Sequence, residues 1–371
     1  MKFLLLTLFS AVFACVSACS GVSEKSGNRE KSADGEFASY PMGVFLPLSG
    51  SNSDAAKDVL NGMRLAERQL NSSGGIGGVM LSLMVEDTSR KDYEFASAFN
   101  SMASSGVKVF NFGFGNETVF LCRVLAKEEN IFVNYLSSYP PVTLDSGNST
   151  RIFINGAQQG DIMAKAVDRS DGKEKQLVLM NVDNLIGKSN GDYLAFNLNV
   201  GKTRLYKDVY GEGETRFGVF GEQIMRLWSQ YVFYVGYGKE LPAFLSNLGK
   251  SGFKGSVVAD CGFYYAPPPA VPDGIRFFRV ETLFQRGEVK TEPSLSFRRA
   301  YKAEYGKEPT WMAAYGYDSV MLLSRAAAGA KFNPKEMRAF FSGKSYDGAI
   351  GKISFDSSGD SVSELVLAER K

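Results

Sequence analysis

Histidine is absent from all 371 residues. That absence removes Ser-His-Asp and Cys-His catalysis, histidine-ligated zinc and imidazole acid–base chemistry together. An enzyme built on this chain would have to work with carboxylates, lysine, tyrosine, serine or cysteine. A function other than catalysis is therefore expected, with no catalytic residue, no metal and no cofactor. Excess charge is missing as well: 42 basic against 40 acidic residues gives +2, so no broad basic surface for nucleic acid is expected. Cysteine is scarce, with four in the chain, too few for a disulfide framework. Long apolar runs are lacking except at the N-terminus. What is present, 44% hydrophobic and 22% charged residues, excludes a disordered chain and a small stapled domain. At roughly 100–200 residues per domain the length points to about two domains.

Met1-Lys2 opens a run from Phe3 to Ala18 that is apolar and carries no further charge. It is too short to cross a bilayer and sits behind a single lysine, the layout of a secretory signal peptide over residues 1–18. The run closes on Val16-Ser17-Ala18-Cys19-Ser20, which resembles the lipobox of bacterial lipoproteins. The resemblance implies that Cys19 becomes the lipidated first residue of the mature chain; ordinary cleavage near Ala18 is the alternative. Acyl chains there would anchor stably, since each buried CH₂ contributes about 0.8 kcal/mol and two chains suffice. Residues 19–37 are polar, with almost nothing to bury, and read as a flexible tether. No other segment is apolar enough to span, so a soluble body held to a membrane by its lipid anchor alone is expected. Cys15 leaves with the signal. Cys122 and Cys261 lie far apart and read as small buried residues, with a bridge between them the alternative.

The body alternates two periodicities. Met42–Leu48 is a short apolar run that breaks at Pro47 and Ser49-Gly50, and Asp54–Leu70 then carries apolar residues at mostly helical spacing. Asn71-Ser72-Ser73-Gly74-Gly75 stops that helix. Strands follow at Leu81–Val85, Val107–Phe112 and Ile131–Leu136, separated by helices at Tyr93–Ser104 and Thr118–Glu129. This order predicts a parallel sheet covered on both faces. A second series runs through helix Ile162–Arg169, strand Leu177–Asn181, a helix near Asp192–Val200 and strand Leu205–Tyr210. Helix Phe217–Ser229, strand Tyr231–Val235, helix Glu240–Lys250 and strand Ser256–Ala259 complete it. Residues 266–272, with four prolines, form an irregular loop. Helices near Ser296–Tyr305, Trp311–Ala328 and Pro334–Phe341 precede a strand pair around Gly351–Phe355 and Glu364–Ala368. Two α/β units in tandem imply a cleft between them.

A series of strings runs along the chain: Pro47-Leu48-Ser49-Gly50, Asn61-Gly62-Met63-Arg64-Leu65-Ala66 and Leu70 through Gly78, then Val85-Glu86-Asp87-Thr88 and Gly252-Phe253-Lys254-Gly255. Ala313-Ala314-Tyr315-Gly316-Tyr317-Asp318, Gly351 through Asp356 and Gly359-Asp360 close the series. In this order the strings resemble the branched-chain amino acid (Leu/Ile/Val-type) substrate-binding proteins of ABC transporters. The resemblance spans nearly the whole mature chain. It implies the type I periplasmic binding protein fold: α/β, two doubly wound parallel-sheet lobes joined by a three-segment hinge. Residues 38–157 plus 285–340 would form lobe I, and 158–284 plus 341–371 lobe II.

In open parallel sheets ligands sit beyond the carboxyl ends of strands, where helix N-termini offer free N–H groups. On that physics and the resemblance together, Asn116 follows the strand ending at Phe112, with helix capping as its other role. Ser137, Ser138 and Tyr139 follow the next strand, where similar proteins hold a solute's carboxylate and amine; turn formation is the plainer role of the serines. From the second lobe come Gln158 at the hinge, Tyr237 in Val235-Gly236-Tyr237-Gly238, and Asp260 as an acidic partner for a ligand ammonium. Packing would also explain Tyr237, and a solvated turn would explain Asp260. Trp311 falls near an aromatic wall position and could equally be core. Three departures loosen the ligand class. Ala55 stands where an aromatic is frequent, Ile186 where a ligand-facing tyrosine is common, and Cys261 where an acid is usual. Ser89 and Gly115 replace the cysteines of a small disulfide seen in some relatives. An amino acid or another small acid or amide fits.

The leading expectation is an exported solute receptor in the cell envelope, a monomer that delivers its ligand to an ABC permease. A ligand-sensing regulator on the same scaffold is the second reading. An enzyme is the third, and would need a nucleophile elbow or a clustered acid pair with supporting residues.

Overall fold

The computed structural model describes residues 39–370 except 51–52, 90–91, 115–117, 129, 145–146 and 262–269. The signal segment with Cys15, the tether, Cys19, Gly115, Asn116 and most of the proline-rich loop lie outside the described residues. Lobe I opens with β1 (Ser39–Leu46), α1 (Ser53–Ser72), β2 (Met80–Asp87), α2 (Asp92–Ser104), β3 (Val109–Gly113), α3 (Thr118–Glu128), β4 (Phe132–Leu136) and β5 (Ser149–Arg151). Its five strands are all parallel, in the order β2-β1-β3-β4-β5. β3 and β4 are buried along their whole length, as strands covered by helices on both faces must be.

Lobe II continues with α4 (Gly156–Ala164), β6 (Lys175–Val182), α5 (Leu185–Leu198), β7 (Thr203–Tyr210), α6 (Gly218–Arg226), β8 (Tyr231–Val235), α7 (Leu241–Lys250), β9 (Ser256–Ala259) and β10 (Arg276–Thr282). The chain then returns to lobe I with α8 (Glu292–Tyr305), α9 (Trp311–Gly329) and the short α10 (Arg338–Phe341). β11 (Ser345–Asp347), β12 (Lys352–Phe355) and β13 (Ser361–Val362) form a small antiparallel sheet. β14 (Leu365–Arg370) finally crosses to lobe II and pairs antiparallel with β10, giving the order β14-β10-β9-β8-β6-β7.

Four details differ from the sequence expectation. Residues 341–362 pack with lobe I rather than lobe II. Phe341 stacks on Phe132 at 5.9 Å, and the Ala349 and Ile350 amides donate to the Asp318 carboxylate on α9 at 2.7 and 2.8 Å. The final crossing therefore comes near Ser363. β12 and β14 are not partners but belong to different sheets, because Asp356–Asp360 turns the chain back on β12 before it leaves. α4 starts at Gly156, not Ile162, because Asn155 accepts a hydrogen bond from the Ala157 amide as its N-cap. β10 escaped notice because charges interrupt its apolar pattern; Glu281 is fully buried and paired with Arg279 and Arg370.

Two glycines of the strings quoted above acquire a physical reason in lobe I. α1 and α9 pack backbone to backbone: a Cβ on Gly62 would lie 1.9 Å from the Ala313 carbonyl oxygen, and one on Gly316 2.1 Å from that of Val59. Neither neighbour is a flexible side chain that could yield. Gly62→Ala and Gly316→Ala should each destabilise the protein by about 1–3 kcal/mol through overpacking. Thermal unfolding reads this as a loss of a few degrees in Tm; an unchanged Tm in both variants would show that the helices can part without cost.

Candidate functional site

In lobe II the chain order reverses between β6 and β8, which pair directly. Such a switch point leaves a crevice outside the carboxyl ends of the two strands. Val182 and Asn184 follow or end β6 here, and Val235, Gly236 and Tyr237 do the same for β8. These residues line a cleft of about 410 Å³. Gln159, Ile186, Gly187, Asn190, Asp260 and Cys261 complete its lobe II side; Ser138, Phe153 and Trp311 face them from lobe I and the first crossing. The Ser138 hydroxyl accepts a hydrogen bond from Asn190 Nδ2 at 3.0 Å across the lobes. Ile186 lies in one apolar cluster with Phe45, Tyr135 and Tyr139 of lobe I. The lobes are thus in contact at the cleft.

Of the residues singled out from sequence, Ser138, Tyr237, Asp260 and Trp311 come together as cleft lining. Trp311 opens α9, whose N-cap Thr310 accepts from the Ala313 amide, and its ring packs on Phe153 at 5.7 Å. Tyr237 belongs to the lobe II core, and its hydroxyl donates to Glu212 (3.3 Å) and accepts from Asn184 Nδ2 (2.9 Å). Asp260 is buried at the end of β9. Ser137, Tyr139 and Gln158 are placed differently. The buried Ser137 hydroxyl accepts from the Tyr139 amide at 3.3 Å, shaping the turn after β4. Tyr139 packs in the lobe I aromatic cluster. Gln158 clasps the last crossing, donating to the Ser361 carbonyl at 3.4 Å and accepting from the Ser363 amide at 3.1 Å.

Gln159, one residue on, takes the place in the cleft. Successive helical residues point about 100° apart, so moving the start of α4 to Gly156 exchanges which glutamine faces inward. Its Oε1 accepts from the Cys261 amide at 2.6 Å. Asn184 and Asn190 were also missed. Asn184 carried a signal, an asparagine between a strand and a helical run, and it caps α5 by accepting from the Gly187 amide. Asn190 sits mid-helix and carried none.

The chemistry of the lining is one-sided. Among the described residues no lysine or arginine lines the cleft, while the buried Asp260 does. Asn190 Oδ1 is buried without a hydrogen-bond partner. Both side chains line the cleft. An unpaired buried acceptor is costly, and a donor would relieve Asn190 Oδ1. A nucleophile is harder to find. Gly187-Lys188-Ser189-Asn190-Gly191 has the spacing of a nucleophile elbow, yet it runs inside α5 rather than through a strand–turn–helix, and the chain has no histidine to serve it.

The sequence model described as "Periplasmic binding protein" matches residues 39–366. This chain belongs to the periplasmic binding protein family. The family's members bind solutes and act outside the cytoplasm, and homologues of this chain are ABC transporter substrate-binding proteins for amino acids. The chain is 25% identical to the Leu/Ile/Val-binding protein homolog 2 of Brucella abortus, over 90% of this chain and 91% of that one. Its fold is similar to that of a leucine binding protein from Thermotoga maritima, at TM-score 0.74 and 20% identity, covering 89% and 95% of the two chains. A Rhodopseudomonas palustris ABC transporter solute binding protein in complex with benzoate is similar at TM-score 0.73 and 17% identity, covering 90% and 93%.

In this periplasmic binding protein the two described cysteines are free and buried, one in each lobe. Burial pushes the Cys122 thiol up to about 12 and raises that of Cys261, where the nearby Asp260 charge adds to the effect. Neither is a thiolate near neutral pH, and thiolate is the reactive form. Ellman's reagent at pH 8 should therefore label Cys122 and Cys261 only after unfolding, as peptide mapping would show; prompt labelling of native Cys261 would mean that the cleft opens widely on its own.

Proposed function

We propose that this protein is an exported, lipid-anchored receptor that takes an amino acid with an apolar side chain between its lobes and delivers it to an ABC permease. The observation that carries the ligand class is the make-up of the cleft wall, where the Asp260 carboxylate and the Asn190 amide stand with no basic side chain among the described lining. An ammonium brings donors and a positive charge to that acidic wall. Trp311, Phe153, Val182, Val235 and Ile186 provide an apolar wall for the rest of the solute. The names of the relatives support the same reading. A ligand bearing only a carboxylate, such as the benzoate of the Rhodopseudomonas protein, would bring a second negative charge to a described lining that holds Asp260 and no basic side chain.

Delivery follows from closure. A solute shifts the open–closed balance only through contacts it makes in the closed state, and Ser138 faces Asn190 across the lobes, so one solute touches both. Thermal unfolding of the mature chain against the amino acids and benzoate tests this. An apolar amino acid at about 100 times its Kd should add roughly 2.7 kcal/mol of stability, and Asp260→Asn should abolish the shift while the free protein stays folded. Stabilisation by benzoate alone, retained in Asp260→Asn, would overturn the ammonium reading.

Anchoring is tested separately. With Cys19 as the lipid site, Cys19→Ala should abolish acyl labelling and leave the chain uncleaved or mislocalised; labelling that persists in the variant would point to ordinary cleavage near Ala18.

A further inference from the structure

Arg151 ends β5 with its side chain wholly buried. Its Nε lies 2.7 Å from Asp360 Oδ1, and its two terminal nitrogens donate to the carbonyls of Ser137 (3.2 Å) and Pro140 (2.7 Å). Asp360 is engaged on its other oxygen too, accepting from the Thr143 hydroxyl at 3.0 Å and Asn155 Nδ2 at 3.1 Å. Asn155 caps α4, and the next amide, Gly156, donates to the Ser138 carbonyl at 2.9 Å. These bonds close a ring. It joins the turn carrying Ser138, the first crossing at Asn155-Gly156 and the last crossing just after Asp360. The backbones on the two sides also run together: the Thr150 hydroxyl donates to Gly359 O at 2.6 Å and the Ser361 hydroxyl to Phe153 O at 2.5 Å.

We propose that Arg151 and Asp360 are positioning residues that set the Ser138 edge of the cleft and couple it to two of the three hinge crossings. This rests on the cleft being the solute site. Arg151 touches no solute. It holds the carbonyls on either side of Ser138-Tyr139, so the hydroxyl that meets Asn190 is presented at a fixed height. Beyond the ring, the Gln158 clasp on Ser361 and Ser363 ties the start of α4 to the last crossing.

A guanidinium fork is needed here. A lysine ammonium can reach Asp360 but, with a single nitrogen, cannot also hold the Ser137 and Pro140 carbonyls that the guanidinium engages separately. Arg151→Lys therefore keeps the charge and loses the clamp. Asp360→Asn alone would leave a buried unpaired cation and risks unfolding, whereas Arg151→Met with Asp360→Asn removes both charges, an exchange proteins often tolerate.

Hydrogen exchange of the ligand-free chain, read by mass spectrometry, tests the coupling without any solute. In Arg151→Lys and in the double variant, amides of 137–144 and 156–159 should exchange at least tenfold faster while those of β1, β3, β6 and β8 keep their rates. Titration with L-leucine should show affinity reduced at least tenfold in both variants at a free-protein Tm within a few degrees of the parent. Unchanged exchange at 137–144 in the folded variants would overturn the proposal, as would a uniform rise over all strands, which marks the pair as a core charge pair and no more. If L-leucine binds not even the parent chain, the amino acid reading fails for that solute, and the exchange pattern still decides the role of Arg151.

Discussion

Stripping the Arg151 guanidinium of water is expensive, and the surrounding chain is arranged around meeting that cost. Burial pulls its pKa down and pushes that of Asp360 up, and each charge partly restores the other. The remaining donors find carbonyls instead of solvent, and the remaining carboxylate oxygen finds a hydroxyl and an amide. Asp360 lies more than 200 residues from the rest: it meets residues 137–155 only because β5 and the last crossing run side by side. A bilobed protein whose chain crosses between lobes three times needs such a fixed point. Without it the crossings could slide past one another, and the cleft would have no reproducible shape.

The rest of the architecture follows from parallel sheets. Each must be covered on both faces, which sets strands and helices in alternation and drives lobe I to recruit α8 and α9 from far along the chain. The tight seat of α9 on α1, with glycine facing backbone in both directions, makes that recruitment specific rather than a general apolar contact. Because α9 begins with Trp311, the same packing that closes lobe I also delivers an aromatic wall to the cleft. The lobe I core and the cleft wall share a helix here.

That division explains what was legible in the sequence. The alternation, the lobe count, and Ser138, Tyr237 and Asp260 as residues near the ends of strands could be read because each sits beside an obvious apolar run or turn, whereas Trp311 was picked out by the resemblance alone. The Gln158–Gln159 exchange could not, since it depends on whether a helix starts at Gly156 or six residues later, a choice made by one capping bond from Asn155. β10 was hidden because Arg279 and Glu281 look like solvent-facing charges until their partner Arg370 arrives from the last strand. Residues 341–362 were given to the wrong lobe for a similar reason: the Asp318 clasp on the 349–350 amides joins positions over thirty apart, and no local pattern announces it. Asn190 lay in the middle of a helix, where nothing separates a functional amide from an ordinary one.

The cleft itself argues for holding over reacting. Its thiol is kept protonated by burial and by the neighbouring aspartate, its one elbow-like serine lies inside a helix, and no imidazole exists anywhere in the chain to move a proton. What the cleft offers is an acid, Asp260, and an amide, Asn190, set opposite an apolar wall, with the amide already bonded across to the other lobe. On the reading proposed above, a solute in the cleft would meet Asn190 and Asp260 of lobe II and Ser138 of lobe I together only while the lobes stay in contact. Such a solute would be worth more to the closed form than to the open one, which is the whole requirement for a ligand to drive closure.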